Sequence, residues 1–249
     1  MVINSRRESR GAPFIDPGRR SGSQFTHARR APAMLMALKR RLLATAVLIA
    51  AAGGLASPMA LAQGDERGAA LFDLCAQCHG SDAGGHRVYL APAIAGLSEW
   101  YLTAQLNKFR SGLRGTHFDD LSGMRMRPMA RTLEKDEDVE IVAKYVASLP
   151  ATQPAPELTG GDPEKGQPLY ATCLACHGAK GEGMQATNAP PLANQSDWYL
   201  LDQLKKFKAG VRGTDPRDPS AIMMRPMAMI LADEQAMKDV IAYIGTLAK

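Results

Sequence analysis

Two pentapeptides constrain this chain more than anything else in it: Cys75-Ala76-Gln77-Cys78-His79 and Cys173-Leu174-Ala175-Cys176-His177. Together they use all 4 cysteines of the 249-residue sequence. C-x-x-C-H is the spacing of covalent haem attachment: two thiols add across the vinyl groups of one porphyrin, and the adjoining imidazole meets the iron. The candidate cofactor-binding residues are therefore Cys75, Cys78, Cys173 and Cys176, with His79 and His177 as proximal metal ligands. The implied cofactors are two covalent haem c groups. Competing uses of the cysteines explain less. One zinc site shared by pairs 98 residues apart is strained, since each pair has its own His. A thioredoxin-like dithiol needs no His after its second Cys and sits near a βαβ pattern, which is not evident here. Disulfides within each box leave both histidines unexplained.

The boxes belong to a longer repeat at a constant offset of 98. Gly68 recurs as Gly166, Ala91-Pro92 as Ala189-Pro190, and Trp100-Tyr101-Leu102 as Trp198-Tyr199-Leu200. Lys108-Phe109 recurs as Lys206-Phe207, Arg114-Gly115-Thr116 as Arg212-Gly213-Thr214, and Met126-Arg127-Pro128-Met129-Ala130 as Met224-Arg225-Pro226-Met227-Ala228. The chain is a duplicated domain. Each unit is small for a core made of side chains alone, and a covalent haem supplies an apolar body to pack around. Pro150 to Pro156, followed by Gly160-Gly161, reads as a semi-rigid connector, with the boundary near residue 155.

Upstream of the repeat, Lys39-Arg40-Arg41, the apolar run Leu42 to Leu55 and Ala60-Leu61-Ala62 have the order of a secretory signal peptide, with a mature start at Gln63. The run is short and Ala/Gly-rich for a membrane span, so cleavage is the expectation and an uncleaved anchor the alternative. Residues 1–33 carry no apolar period, and Met34 or Met36 lies where a signal peptide would start. Of the 30 basic and 25 acidic residues, 10 and 2 fall within residues 1–62, leaving 20 and 23, a net of −3. The basic balance of the whole chain thus belongs to the export segment, and no nucleic-acid partner is indicated. Haem attachment to exported thiols points to the periplasm.

The patterning is helical. Asp65 to Cys75 and Pro163 to Cys173 read as short helices leading into the boxes. Glu99 to Arg110 carries Leu102, Leu106 and Phe109 on one stripe, and Asp197 to Ala209 repeats it with Leu200, Leu204 and Phe207. A last helix in each unit follows Asp136-Glu137-Asp138 or Asp233-Glu234, acids that suit a helix N-terminus. Residues 80–97 and 178–194 are rich in Gly, Pro and Ala and read as loops around a haem edge. The M-R-P-M-A segments read as loops stiffened by Pro128 and Pro226.

A sixth ligand to each iron is sought among 13 methionines, a residue more often a core filler than a ligand. Only Met126/Met224 and Met129/Met227 recur in the repeat. His86 and His117 have no counterparts in the second unit; they read as loop histidines, with His/His ligation the alternative. Trp100 and Trp198 read as packing residues. Arg127 and Arg225 either pair with haem propionates or are solvated loop charges.

Two C-x-x-C-H units of this size, each with a repeated Met pair and a closing helix with Tyr145 or Tyr243, resemble the dihaem cytochrome c4 family, a duplicated class I cytochrome c. The resemblance covers nearly all of residues 63–249. It implies an all-α fold of two tandem class I cytochrome c domains, 63–155 and 156–249, each wrapped around one haem c, after an extension and signal segment at 1–62. In that family the ligand methionine stands seven residues before the Leu leading into the last helix. Met126 and Met224 match this spacing to Leu133 and Leu231, and Met129 and Met227 are the runners-up. The family also implies a proline carbonyl accepting from the proximal imidazole; Pro92 matches, and in the second unit Pro190 or Pro191 does.

With His and Met on both irons, the reading is a non-enzymatic carrier of single electrons. The resemblance implies redox partners such as a quinol-oxidising complex, a terminal oxidase or a dehydrogenase, and leaves peripheral membrane association open. The competing readings are a dihaem peroxidase or thiosulfate-oxidising enzyme, which needs an open or unusual sixth ligand, and a cytochrome subunit of a dehydrogenase or oxidase. The exported protein is expected to be coloured and to begin at Gln63. N-terminal sequencing and an absorption spectrum check this, and colourless material would contradict it.

Overall fold

The computed structural model describes residues 58–247. The expected extension and apolar export run lie outside them. Among the described residues each half contains four α-helices. In the first they are α1 (Pro58–His79), α2 (Glu99–Ser111), α3 (Leu121–Arg131) and α4 (Asp136–Ser148). In the second they are α5 (Pro163–His177), α6 (Asp197–Lys208), α7 (Pro219–Ile230) and α8 (Glu234–Leu247). Among the described residues there is no strand, only two isolated bridges at equivalent places, His86–Ala91 and Met184–Ala189. None of these helices is long and apolar enough to cross a membrane.

Two expectations about local structure need correction. The first helix of each half does not stop at the first cysteine; α1 and α5 run through the box and end on its histidine. Continuing the helix places the two cysteines three residues apart and the histidine four residues from the first, all on one side. The M-R-P-M-A segments are helical rather than loops: they lie inside α3 and α7. Buried Asp120 and Asp218 nucleate these helices, accepting from the backbone N–H of Gly123 at 3.0 Å and of Ala221 at 3.1 Å. Pro128 and Pro226 then cost each helix one internal hydrogen bond without ending it.

The repeated Gly68 and Gly166 have a steric explanation. Helix α1 packs across α4, and α5 across α8. A Cβ on Gly68 would come within 2.5 Å of the Tyr145 Cβ, and one on Gly166 would collide with the Asp239 carbonyl. Around the first crossing sit Phe72, Leu102, Val139, Val142 and Val146; around the second, Tyr170, Leu201, Val240, Ile241 and Ile244. Trp198 is buried, which fits a packing role. On α6 the expected stripe packs inward, with Phe207 buried and Leu200 and Leu204 half-buried against the core, and Gln203 and Lys206 are buried as well because they meet the other half.

That contact is polar and reciprocal. Lys206 of α6 places its Nζ 2.8 Å from Asp120 Oδ1 and 2.6 Å from Ser122 Oγ at the start of α3. Lys108 of α2 does the same to α7, 2.8 Å from Asp218 Oδ1 and 2.7 Å from Ser220 Oγ. Between these pairs lie Arg114, Arg212, Gln105, Gln203 and Tyr199; Arg114 donates to Gln105 at 2.8 Å and to Gln203 at 3.3 Å. The connector lies on the second half, where the Glu157 and Leu158 N–H groups both donate to Asp197 Oδ2 at 2.8 Å.

Burial alone would push the Asp120 and Asp218 carboxyls up. Lys206 or Lys108, with the capping N–H groups, holds both below the usual carboxylate range. A depressed folded value means that the stabilisation is fully present above the unfolded value of about 4 and is lost as pH falls through the folded one. Acid unfolding monitored by far-UV circular dichroism is therefore expected to begin below about pH 4, and Asp120→Asn should flatten that acid limb. An unchanged acid profile would contradict the account. Gly166→Val should destabilise the holo protein by roughly 1–3 kcal/mol through overpacking; denaturant titration giving a parental midpoint would show that the crossing is not tight.

Candidate functional site

The last turn of α1 presents Cys75, Cys78 and His79, and Gly80, with φ of 82°, turns the chain away in the left-handed region. The loop then folds back. Gly85 N–H donates to the His79 carbonyl at 2.8 Å, and Ile94 N–H to the Ala83 carbonyl at 2.9 Å. Gly85 has φ of 86°, and a Cβ there would lie 2.5 Å from Ala93 N and Pro92 C. Only glycine allows this approach, and the approach sets Pro92 against the ring of His79.

His79 Nδ1 lies 2.8 Å from the Pro92 carbonyl, and His177 Nδ1 lies 2.8 Å from the Pro190 carbonyl. A carbonyl can only accept, so Nδ1 carries the proton in both rings and Nε2 keeps its lone pair. Of the two prolines in the second half, Pro190 therefore holds the bond. Both histidines are buried, each only 6% exposed. Burial lowers both imidazole pKa values, against the carbonyl bond that raises them, so both rings are neutral at pH 7 and suited to a metal.

Above His79 lies a cavity of about 670 Å³. Its walls are mainly apolar, including Phe72, Leu97, Leu102, Leu106 and Val142, and it brings together Cys75, Cys78, His79, Met126 and Met129. Tyr199 and Gln195 of the second half close one side, next to Arg114. His86 and His117 are not among the lining residues. His86 pairs edge-on with Tyr89 at 5.9 Å, and His117 stacks on Phe118 at 4.6 Å. In the second half, Met224 packs against Phe207, Ala221 and Ala228, while Met227 is 37% exposed.

The donor set fits a haem at several points. The cavity is large, apolar and open to two thiols and an imidazole lone pair. Nε of Arg114, which lines the cavity, is buried without a hydrogen-bond partner, as is Nε of Arg212. Arg114 and Arg212 also stack 4.4 Å over Phe109 and Phe207. Burial first, and then the neighbouring Arg114 charge, pull Arg212 down to about 10, while, against its own burial, Tyr199 and Tyr101 help hold Arg114 above its ordinary value. Haem carboxylates would add negative charge beside this buried pair. The sequence left Arg127 and Arg225 as either carboxylate partners or solvated loop charges; Arg127 lies near Gly112 and Gly115, while Arg114 and Arg125 line the cavity. Arg114 and Arg212 were visible in the repeat, but nothing in the sequence marked them as facing each other.

The alternative uses of the cysteines lose support. Burial pushes the Cys75 thiol up to about 11 and raises that of Cys173, the opposite of an activated dithiol. Among the described residues, no three His, Cys, Asp or Glu side chains converge as a metal cage.

Comparison with known proteins agrees with the duplicated architecture. The family described as Cytochrome c matches twice, at residues 66–150 and 163–248. A protein of Stutzerimonas stutzeri described as "Thiosulfate dehydrogenase electron acceptor" is 35% identical over 187 residues, 69% of this chain and 79% of that protein. Cytochrome c4 of Azotobacter vinelandii is 29% identical over 175 residues, 65% of this chain and 79% of its own length. Among solved structures, thiosulfate dehydrogenase (TsdBA) from Marichromatium purpuratum superposes with a TM-score of 0.60 at 31% identity, covering 73% of this chain and 40% of that one. Reduced cytochrome c4 from Pseudomonas stutzeri gives 0.56 at 25% identity, covering 72% and 96%.

Proposed function

This chain belongs to the cytochrome c family and carries two covalently bound haem c groups; from that premise we propose that it is a periplasmic carrier moving single electrons between a respiratory donor and a terminal acceptor. The observation that carries the reading is that one cavity is lined both by His79 and by the thioethers of α3, in a half that the chain then repeats. A histidine and a thioether from the protein would together hold the iron and leave a substrate no place on it.

The assignments follow the duplicated site. Cys75 and Cys78 hold one haem and Cys173 and Cys176 the other, within domains 63–155 and 156–249. His79 and His177 would hold the iron through their Nε2 atoms, kept in one tautomer by Pro92 and Pro190. Met126 and Met224 would hold it through their thioethers. The haem iron supplies one-electron redox chemistry when bound. The chain's own residues do the rest: the apolar walls keep water from the site, soft sulfur favours the reduced metal, and Arg114 receives carboxylate charge at the inner edge.

A dehydrogenase is the favoured donor, since the similar Stutzerimonas stutzeri protein is described as an electron acceptor of one. A quinol-oxidising complex is the other donor reading. A terminal oxidase is the proposed acceptor; a subunit of a cbb3-type oxidase from Rubrivivax gelatinosus is 34% identical over 153 residues, although the match covers only 43% of that protein. Export through the segment at residues 1–62 would deliver the chain to these partners.

Replacing a thioether ligand tests the reading. Met126→Leu and Met224→Leu are each expected to remove the far-red absorption band of one haem. Each should lower that haem's potential by on the order of 0.2 V, within the roughly 0.8 V that axial ligands span. Met129→Leu and Met227→Leu should leave both properties in place. The reverse pattern moves the ligand to the second methionine of the same helix, and a band that survives all four changes overturns methionine ligation.

A further inference from the structure

The helix that bears the candidate thioethers in each half is anchored by the opposite half. Helix α3 begins at Asp120, whose side chain accepts from Gly123 N–H and is 2% exposed. The ammonium facing that carboxylate belongs to Lys206 on α6, at 2.8 Å, and it also reaches Ser122 in the first turn. The same arrangement recurs with the halves exchanged: Asp218 starts α7, and Lys108 of α2 holds it at 2.8 Å together with Ser220. Both lysines lie mostly out of water, with side chains 8% and 16% exposed, so each pair is far less screened than a surface ion pair. A carboxylate at a helix start is already favoured by the helix dipole. Tying it to a cation on a second body fixes where that start sits.

We propose that Lys206 and Lys108 are reciprocal positioning residues: each sets the methionine-bearing helix, and through it the axial ligation, of the haem in the half to which it does not belong. The proposal rests on the axial role of α3 and α7. It holds whether the ligands are Met126 and Met224 or Met129 and Met227, because both members of each pair share one helix. Its consequence is that the two haem sites are not independent modules. A change at one lysine is felt across the interface, at the distant ligand, before it is felt at the haem of its own half. One asymmetry is built in: Lys206 also meets Asp202 at 2.6 Å, one turn back on its own helix, whereas the equivalent position before Lys108 is Ala104.

The test uses the full holo protein and proton NMR in the reduced state, where each thioether ligand gives its own ring-current-shifted methyl resonance. The first-half resonance is the one missing from the Met126→Leu/Met129→Leu double variant. Lys206→Met is expected to shift or broaden that resonance and leave the second-half resonance in place; Lys108→Met should do the converse. In the ferric protein, imidazole should displace the first-half thioether roughly tenfold more readily in Lys206→Met than in the parent, the scale of a weakened helix cap. Lys206→Arg should restore the parental signal. If Lys206→Met does not fold, Asp120→Asn removes the same charge pair from the other side and should act on the first half alone. The proposal is overturned if Lys206→Met or Asp120→Asn perturbs the second-half resonance alone, perturbs both equally, or perturbs neither. A parent lacking any thioether resonance would instead remove the axial reading on which the proposal rests.

Discussion

The organising interaction of each half is the 2.8 Å hydrogen bond from a histidine Nδ1 to a proline carbonyl 13 residues further on. It decides which ring nitrogen is left for a metal, fixes the plane of the ring, and closes the loop that forms one wall of the site. The neighbouring features serve it. The helix ends on the histidine, a glycine in the left-handed region reverses the chain, and a second glycine lets the backbone approach without a Cβ. Without that bond the imidazole would choose between tautomers, and the cysteine pair beside it would hold a porphyrin over a poorly aimed ligand.

The second level of organisation lies between the halves. Buried lysines cap carboxylates across the interface, and buried arginines stack on phenylalanines with an unpartnered nitrogen each. A buried ion pair adds little stability compared with apolar packing, yet breaking one costs several kcal/mol. Such contacts therefore suit specification of one arrangement of two similar bodies. Similar apolar faces could slide; a lysine that must find one helix start cannot.

The cofactor and the duplication were legible because both are written as local patterns: C-x-x-C-H needs only five consecutive residues, and the repeat needs only a constant offset. The amphipathic helices were legible for the same reason, through Leu102 and Phe109 or Val142 and Val146. What escaped was decided by contacts distant in sequence. The methionine segment reads as a loop because Pro128 interrupts it, but Asp120 caps it into a helix and its cap is held by Lys206, 86 residues away. The burial of Gln203 and Lys206 on α6 escaped for the same reason: both are polar, and contacts with the opposing half help to bury them. The role of Pro190 rather than Pro191 depended on a backbone trajectory that spacing alone does not define.

A spectroscopically monitored redox titration of the purified mature protein, followed by exposure of the reduced form to carbon monoxide, bears most directly on the central claim. Two covalent haems are expected, each titrating by one electron and each keeping its thioether bond, with no rapid gas binding at either. Rapid uptake of carbon monoxide by one reduced haem would contradict the claim and point to an open metal site.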